Sequence, residues 1–142
     1  MALRSSAFDP GQFLTFMRHP QIVVSERDGQ LARLLRPVAE AERWVMHEPR
    51  QAEVLTRHLH AAGPTVLVVK LSKKEPEREL ALLGRIAWQL PTVATIAVGD
   101  VDDAAILAGL AWDVGVDFAL FPPLSRDLLP GVVTGLMRRS LL

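Results

Sequence analysis

The chain has 142 residues, with 16 basic and 16 acidic side chains, four histidines and no cysteine. This length fits one domain, since domains usually run to roughly 100–150 residues. The charge balance gives no global field for nucleic acid or an anionic membrane, and the lack of cysteine excludes disulfides, thiolate nucleophiles and cysteine-held zinc.

Residues 1–20 stand apart from the rest. Asp9-Pro10 can cap and start a short helix to about Arg18, with Phe13, Leu14, Phe16 and Met17 on one apolar side. Such a segment docks on its own domain, serves as a partner-binding arm, or frays. "MALRSSAFDP" lacks the apolar run of a signal peptide. No stretch approaches the roughly 18 apolar residues of a spanning helix. A cytoplasmic protein without membrane insertion is expected.

From residue 21 to 142 short apolar runs alternate with amphipathic segments. The strand Ile22–Ser25 leads to a helix over Gly29–Glu40, and Arg43–Met46 leads to a helix over Pro49–Ala62 that Gly63-Pro64 ends. Thr65–Leu71 follows, apolar at every position from Val66 to Val69, as a strand buried on both faces should be. The helix Pro76–Gln89 starts on a proline suited to its first position. Thr92–Val98 precedes the helix Asp102–Val114, which Gly115 closes at C′. Phe118–Phe121 is the last strand, and Arg126–Leu141, with Ser125 as N-cap, is the last helix. Five βα units in strict alternation predict an α/β fold of three layers, with a parallel sheet between helices. Right-handed crossovers in so short a chain point to the flavodoxin-like strand order 2-1-3-4-5.

Two stretches carry a family likeness. "GVDFALFPPLSRDLL" resembles the passage from fourth helix through fifth strand into fifth helix of the receiver domains of response regulators. "VVSERDGQLARLL" is similar to their first strand and helix. The likeness covers about residues 21–141, and Pro123 falls where that family has a proline usually preceded by a cis peptide bond. It implies bacterial signalling, motility, clock, pilus-assembly or polar-localisation work. It also implies a chemical set at the strand tips: an acidic pair for magnesium, a phosphate-accepting aspartate, a hydroxyl and a lysine. The physical logic is that a carboxylate attacks a phosphoryl group only where a metal and a cation neutralise the developing charge.

Position by position, most of that set is missing. Ser25 and Glu26, with Asp28 close by, stand where the acidic pair belongs. The acceptor position reads Lys70 or Leu71, strand 4 ends in Ala97-Val98-Gly99, and the lysine position reads Pro122 or Phe121. A degenerate receiver is therefore expected, without metal, cofactor or enzymatic activity. No nucleophile, base and oxyanion stabiliser converge elsewhere. His58 and His60 lie two apart on a helix and face away from each other, and His47 has only Glu48 beside it, so no zinc set is expected.

Lys70 admits three readings. It is a solvated loop residue with Lys73 and Lys74, balanced by Glu75, Glu77 and Glu79. Alternatively it pairs with Glu26 or Asp28, or it joins Lys73 and Lys74 in an anion site at a strand tip. The last reading makes the protein a sensor of a small anionic ligand. The fourth helix favours another role. "AAILAGLAW", Ala104 to Trp112, has no polar side chain, yet a helix on a sheet needs an apolar stripe only about 100° wide. An interaction face is expected at Ile106, Leu107, Leu110, Trp112, Phe121, Leu129, Val133 and Leu136, across helix 4, strand 5 and helix 5. The function expected from it is phosphorylation-independent docking of a protein partner or homodimerisation.

Overall fold

The computed structural model describes residues 19–61, 63–100 and 104–141. The helix expected at Asp9–Arg18 lies outside the described residues. The elements run β1 Gln21–Ser25, α1 Gln30–Glu42, β2 Val45–His47, α2 Ala52–Leu59, β3 Thr65–Lys70 and α3 Pro76–Gln89. They continue with β4 Ala94–Val98, α4 Ala104–Val114, β5 Phe118–Leu120, a 3₁₀ turn Arg126–Leu128 and α5 Leu129–Leu141. All strand pairs are parallel, in the order β2-β1-β3-β4-β5. This is the flavodoxin-like, receiver-like architecture that the alternation predicts.

Because side chains alternate across a strand, each strand feeds two cores. Ile22, Val24, Val66, Val68, Ile96 and Leu120 pack on one face, against Leu31 and Leu35 of α1 and Leu129, Val133 and Met137 of α5. Val23, Leu67, Val69, Ala97 and Ala119 pack on the other, against α2, α3 and α4. Every residue of β3 before Lys70 is buried, which is why that strand is continuously apolar. Two polar side chains at the sheet's lower end are satisfied internally. Gln21 Nε2 donates to the His58 carbonyl at 2.7 Å and to Thr65 Oγ1 at 2.9 Å.

The departures from expectation lie at element ends, with β4 starting at Ala94 rather than Thr92 and the clearest shifts at β2, α2 and the last helix. Strand β2 begins at Val45 rather than Arg43, because Arg43 takes a left-handed conformation (φ 59°) and closes α1, its N–H reaching the Ala39 and Glu40 carbonyls. Helix α2 is shorter at both ends than Pro49–Ala62, and its last turn ends in His60, whose N–H bonds the Thr56 carbonyl at 3.1 Å. The last helix starts three residues late. Pro130 has no N–H to offer the Arg126 carbonyl, so a 3₁₀ turn capped by Ser125 precedes the α-helix. The Pro122-Pro123 bond is cis, at the position where the family likeness implies such a bond.

Candidate functional site

Parallel α/β sheets gather loops at the carboxyl ends of their strands, where ligands usually bind. Here the register places Ser25 opposite Val69, Lys70 opposite Val98, and Val98 opposite Leu120. The loops after β1, β3 and β4 therefore converge, and their polar groups are tied to one another. Lys70 Nζ lies 2.9 Å from Asp28 Oδ2, which answers the question its sequence context raises: it joins an internal pair, with Asp28 rather than Glu26. The hydrogen bond from Lys70 is the main cause that holds the Asp28 carboxyl below its ordinary 3.8, helped by the Gln30 N–H and opposed by burial.

Glu26 has a different duty. Its two carboxylate oxygens accept the Leu31 and Ala32 N–H groups at 2.8 and 2.9 Å, so it caps α1 from outside the helix. Gly29, at φ 76°, has no side chain for capping, and Glu26 and Asp28 take over the first amides. An anion is thus supplied by the chain itself at the helix N-terminus. At the tip of β4, Ala97 and Val98 are fully buried, and the ring of Phe121 occupies the place where a Cβ on Gly99 would be. That packing explains the glycine and leaves no hydroxyl there. Arg126 ties the top together, bound to Asp100 and reaching Gln30 Oε1 at 3.3 Å. Pro122, half-buried, stands at the end of β5 with no cation to give.

A bound anion at Lys70 would have to compete with Asp28, and Lys73 and Lys74 are exposed on the following loop. Among the described residues, no group of three or more histidines and carboxylates is arranged to hold a metal ion. The histidines nevertheless bring a surprise. His47 and His58 stack with ring centroids 3.8 Å apart, and burial, then the His58 charge, lowers the pKa of His47. Sequence spacing compared His58 with His60 and missed this contact between β2 and α2.

The apolar face divides. Phe121, Leu129 and Val133, expected on the surface, are core residues, 3%, 0% and 0% exposed. Leu129 and Val133 share a helix stripe with Met137, and that stripe lies on the sheet. Leu107 and Leu136 are partly buried against the two cores. Helix α4 buries only Ala111. Its Ile106, Leu110 and Trp112 are 65%, 44% and 49% exposed, with Leu124 and Leu128 exposed on the segment after β5. Trp112 leans edge-on against Phe118 of β5, ring centroids 6.0 Å apart.

No protein-family model and no curated protein matches the sequence. Solved structures do match in fold. A protein of Burkholderia pseudomallei described as pilus assembly-related is 22% identical with a TM-score of 0.64, over 87% of this chain and 92% of its own. A signal receiver domain of an HD domain-containing protein from Pseudomonas fluorescens is 19% identical with a TM-score of 0.68, over 87% and 90%. The CheY-like TadZ protein of Pseudomonas aeruginosa is 20% identical with a TM-score of 0.62, over 84% and 99%. The chain has the fold of response-regulator receiver domains over nearly its whole described length.

Proposed function

We propose that this chain is a receiver-like module that performs no phosphoryl chemistry and acts by protein–protein association, pairing with a second copy of itself through the outer face of α4 and the adjoining segment after β5. The observation that carries this reading is α4, which buries one residue and holds Ile106, Leu110 and Trp112 out to solvent. Covering such side chains contributes about 1.5–3 kcal/mol each, enough together to offset part of the entropy lost on association. Contiguous exposed apolar surface of this kind usually marks a protein interface.

The strand tips support the non-catalytic half. A lysine stands where the family likeness calls for a phosphate-accepting carboxylate, and Asp28, a residue that could have helped hold magnesium, is bound to it. The α1 amides are taken by Glu26. The setting is bacterial signalling or cellular organisation in the cytoplasm. Likeness to proteins described as pilus assembly-related, from two Burkholderia species, favours the organising role. Among the described residues no helix is long and apolar enough to cross a membrane.

Light scattering over a concentration series is expected to give a dimer mass, and Ile106→Glu combined with Leu110→Glu a monomer with an unchanged circular dichroism spectrum. A wild-type chain that stays monomeric throughout would sink the association. Incubation with a small phosphodonor and magnesium is expected to yield no phosphoprotein, and a stable acyl phosphate would overturn the non-catalytic half.

A further inference from the structure

The tips of β1 and β3 open on a groove of about 970 Å³ between α2 and α3. On its α3 wall Arg78, Ala81, Leu82 and Arg85 recur three and four residues apart, so one side of that helix faces the opening. Ala52, Leu55 and Thr56 of α2 line the other wall. The flanks are thus largely apolar and the rim is charged.

The charges on the rim do not balance once their partners are assigned. Of the lining carboxylates, Glu26 caps α1, Asp28 holds Lys70, and Glu79 accepts the Ser72 N–H at 2.8 Å. Glu75 meets Arg78 at 3.5 Å, and Asp100 is bound to Arg126, which lies outside the groove. Every acid is therefore engaged. Among the described residues, the side chains of Arg27, Lys74 and Arg85 meet no carboxylate, and Arg50 reaches only the Arg27 carbonyl, at 3.3 Å. The first turn of α2 opens on the same space, and Gln51 makes no side-chain hydrogen bond that caps it. Its first amides add positive potential to that of the four cations.

We infer that this groove binds a nucleotide-sized phosphate ester, with Arg50, Lys74 and the start of α2 on its phosphates and Ala52, Ala81 and Leu82 against its apolar part. Guanidinium and ammonium groups beside a helix N-terminus suit phosphate oxygens. Arg85 lies about 14 Å along α3 from the first turn, so the cations span more than a single phosphate. A cavity of this size suits a small-molecule ligand, being near the upper end of the roughly 300–1,000 Å³ that such ligands occupy. The inference is independent of association through α4, which lies beyond α3 from the groove.

The test is thermal shift and calorimetric titration of the full chain with a nucleoside triphosphate, pyrophosphate, inorganic phosphate and a glutamate-rich peptide. The nucleotide is expected to raise Tm at millimolar concentration, more than inorganic phosphate does. Arg50→Ala and Arg85→Ala should each weaken its binding by roughly tenfold, whereas Arg33→Ala and Arg57→Ala, outside the groove, should leave it unchanged. Circular dichroism on each variant checks that the fold is kept. No shift with any phosphate probe, a shift that survives the Arg50→Ala, Arg85→Ala double variant, or binding of the peptide alone overturns the inference.

Discussion

The strand tips and the outer face of α4 differ in one physical respect. At the tips the groups nearest the strand ends are tied to one another inside the chain: Asp28 on Lys70, Glu26 on the α1 amides, Arg126 on Asp100. On α4, among the described residues, Ile106, Leu110 and Trp112 keep much of their apolar surface exposed, Ile106 most of all at 65%. Carboxylates engaged by a lysine or by helix amides are held in place by the fold itself. An apolar helix that its own sheet covers at one residue leaves apolar surface facing solvent. The difference also says where a substitution should register: in stability at the tips, in association on α4.

The largest expected effect on stability is at Glu26. Glu26→Ala leaves two helix amides without an acceptor, and urea unfolding should report a loss of about 1–2 kcal/mol. A change within error would mean that water replaces the cap and that the tips are less self-contained than their geometry implies. Asp28→Asn should cost less, about 0.2–1 kcal/mol, because the Asp28 side chain is 42% exposed and the pair is partly screened. Its pH dependence has a definite sign. The Asp28 carboxyl titrates below its ordinary 3.8 in the folded chain, so the pair's stabilisation is present above that value and is lost as pH falls through the lowered one. Acid unfolding of Asp28→Asn should accordingly be shallower than that of the wild type. The smallest effect is expected from Ile106→Glu, within about 0.5 kcal/mol of wild type for the isolated fold. A large destabilisation there would show that α4 depends on that side chain for its own packing, and the contrast between the regions would collapse.

Much of the architecture was legible in the sequence because the periods are clean. Val66 to Val69 reads as a central strand and is one, and Pro76 and Gly115 mark helix ends that the structure keeps. The departures have local causes that composition hides. Arg43 closes α1 in a conformation more typical of glycine, and Pro130 delays α5 by one 3₁₀ turn. The surface on α5 was misassigned although a signal existed: Leu129, Val133 and Met137 recur every four residues, the mark of a stripe turned to the core. In α4 no such stripe stands out from its apolar neighbours, yet of the four residues expected on its outer face Ile106, Leu110 and Trp112 are exposed and only Leu107 turns partly inward.

The sequence by itself determined the alternation of elements, the parallel sheet between two helical layers, and the residue types at each strand tip. These follow from local propensity, the two periods of side-chain direction, and the residues that end each strand, Lys70 among them. Only the tertiary structure decided that Lys70 meets Asp28, 42 residues away, while Glu26 caps a helix. It alone brought His47 onto His58 and divided the apolar residues of α4 and α5 into surface and core. Contacts of that kind depend on how helices cross the sheet and which strands lie side by side, and no period along one chain records it.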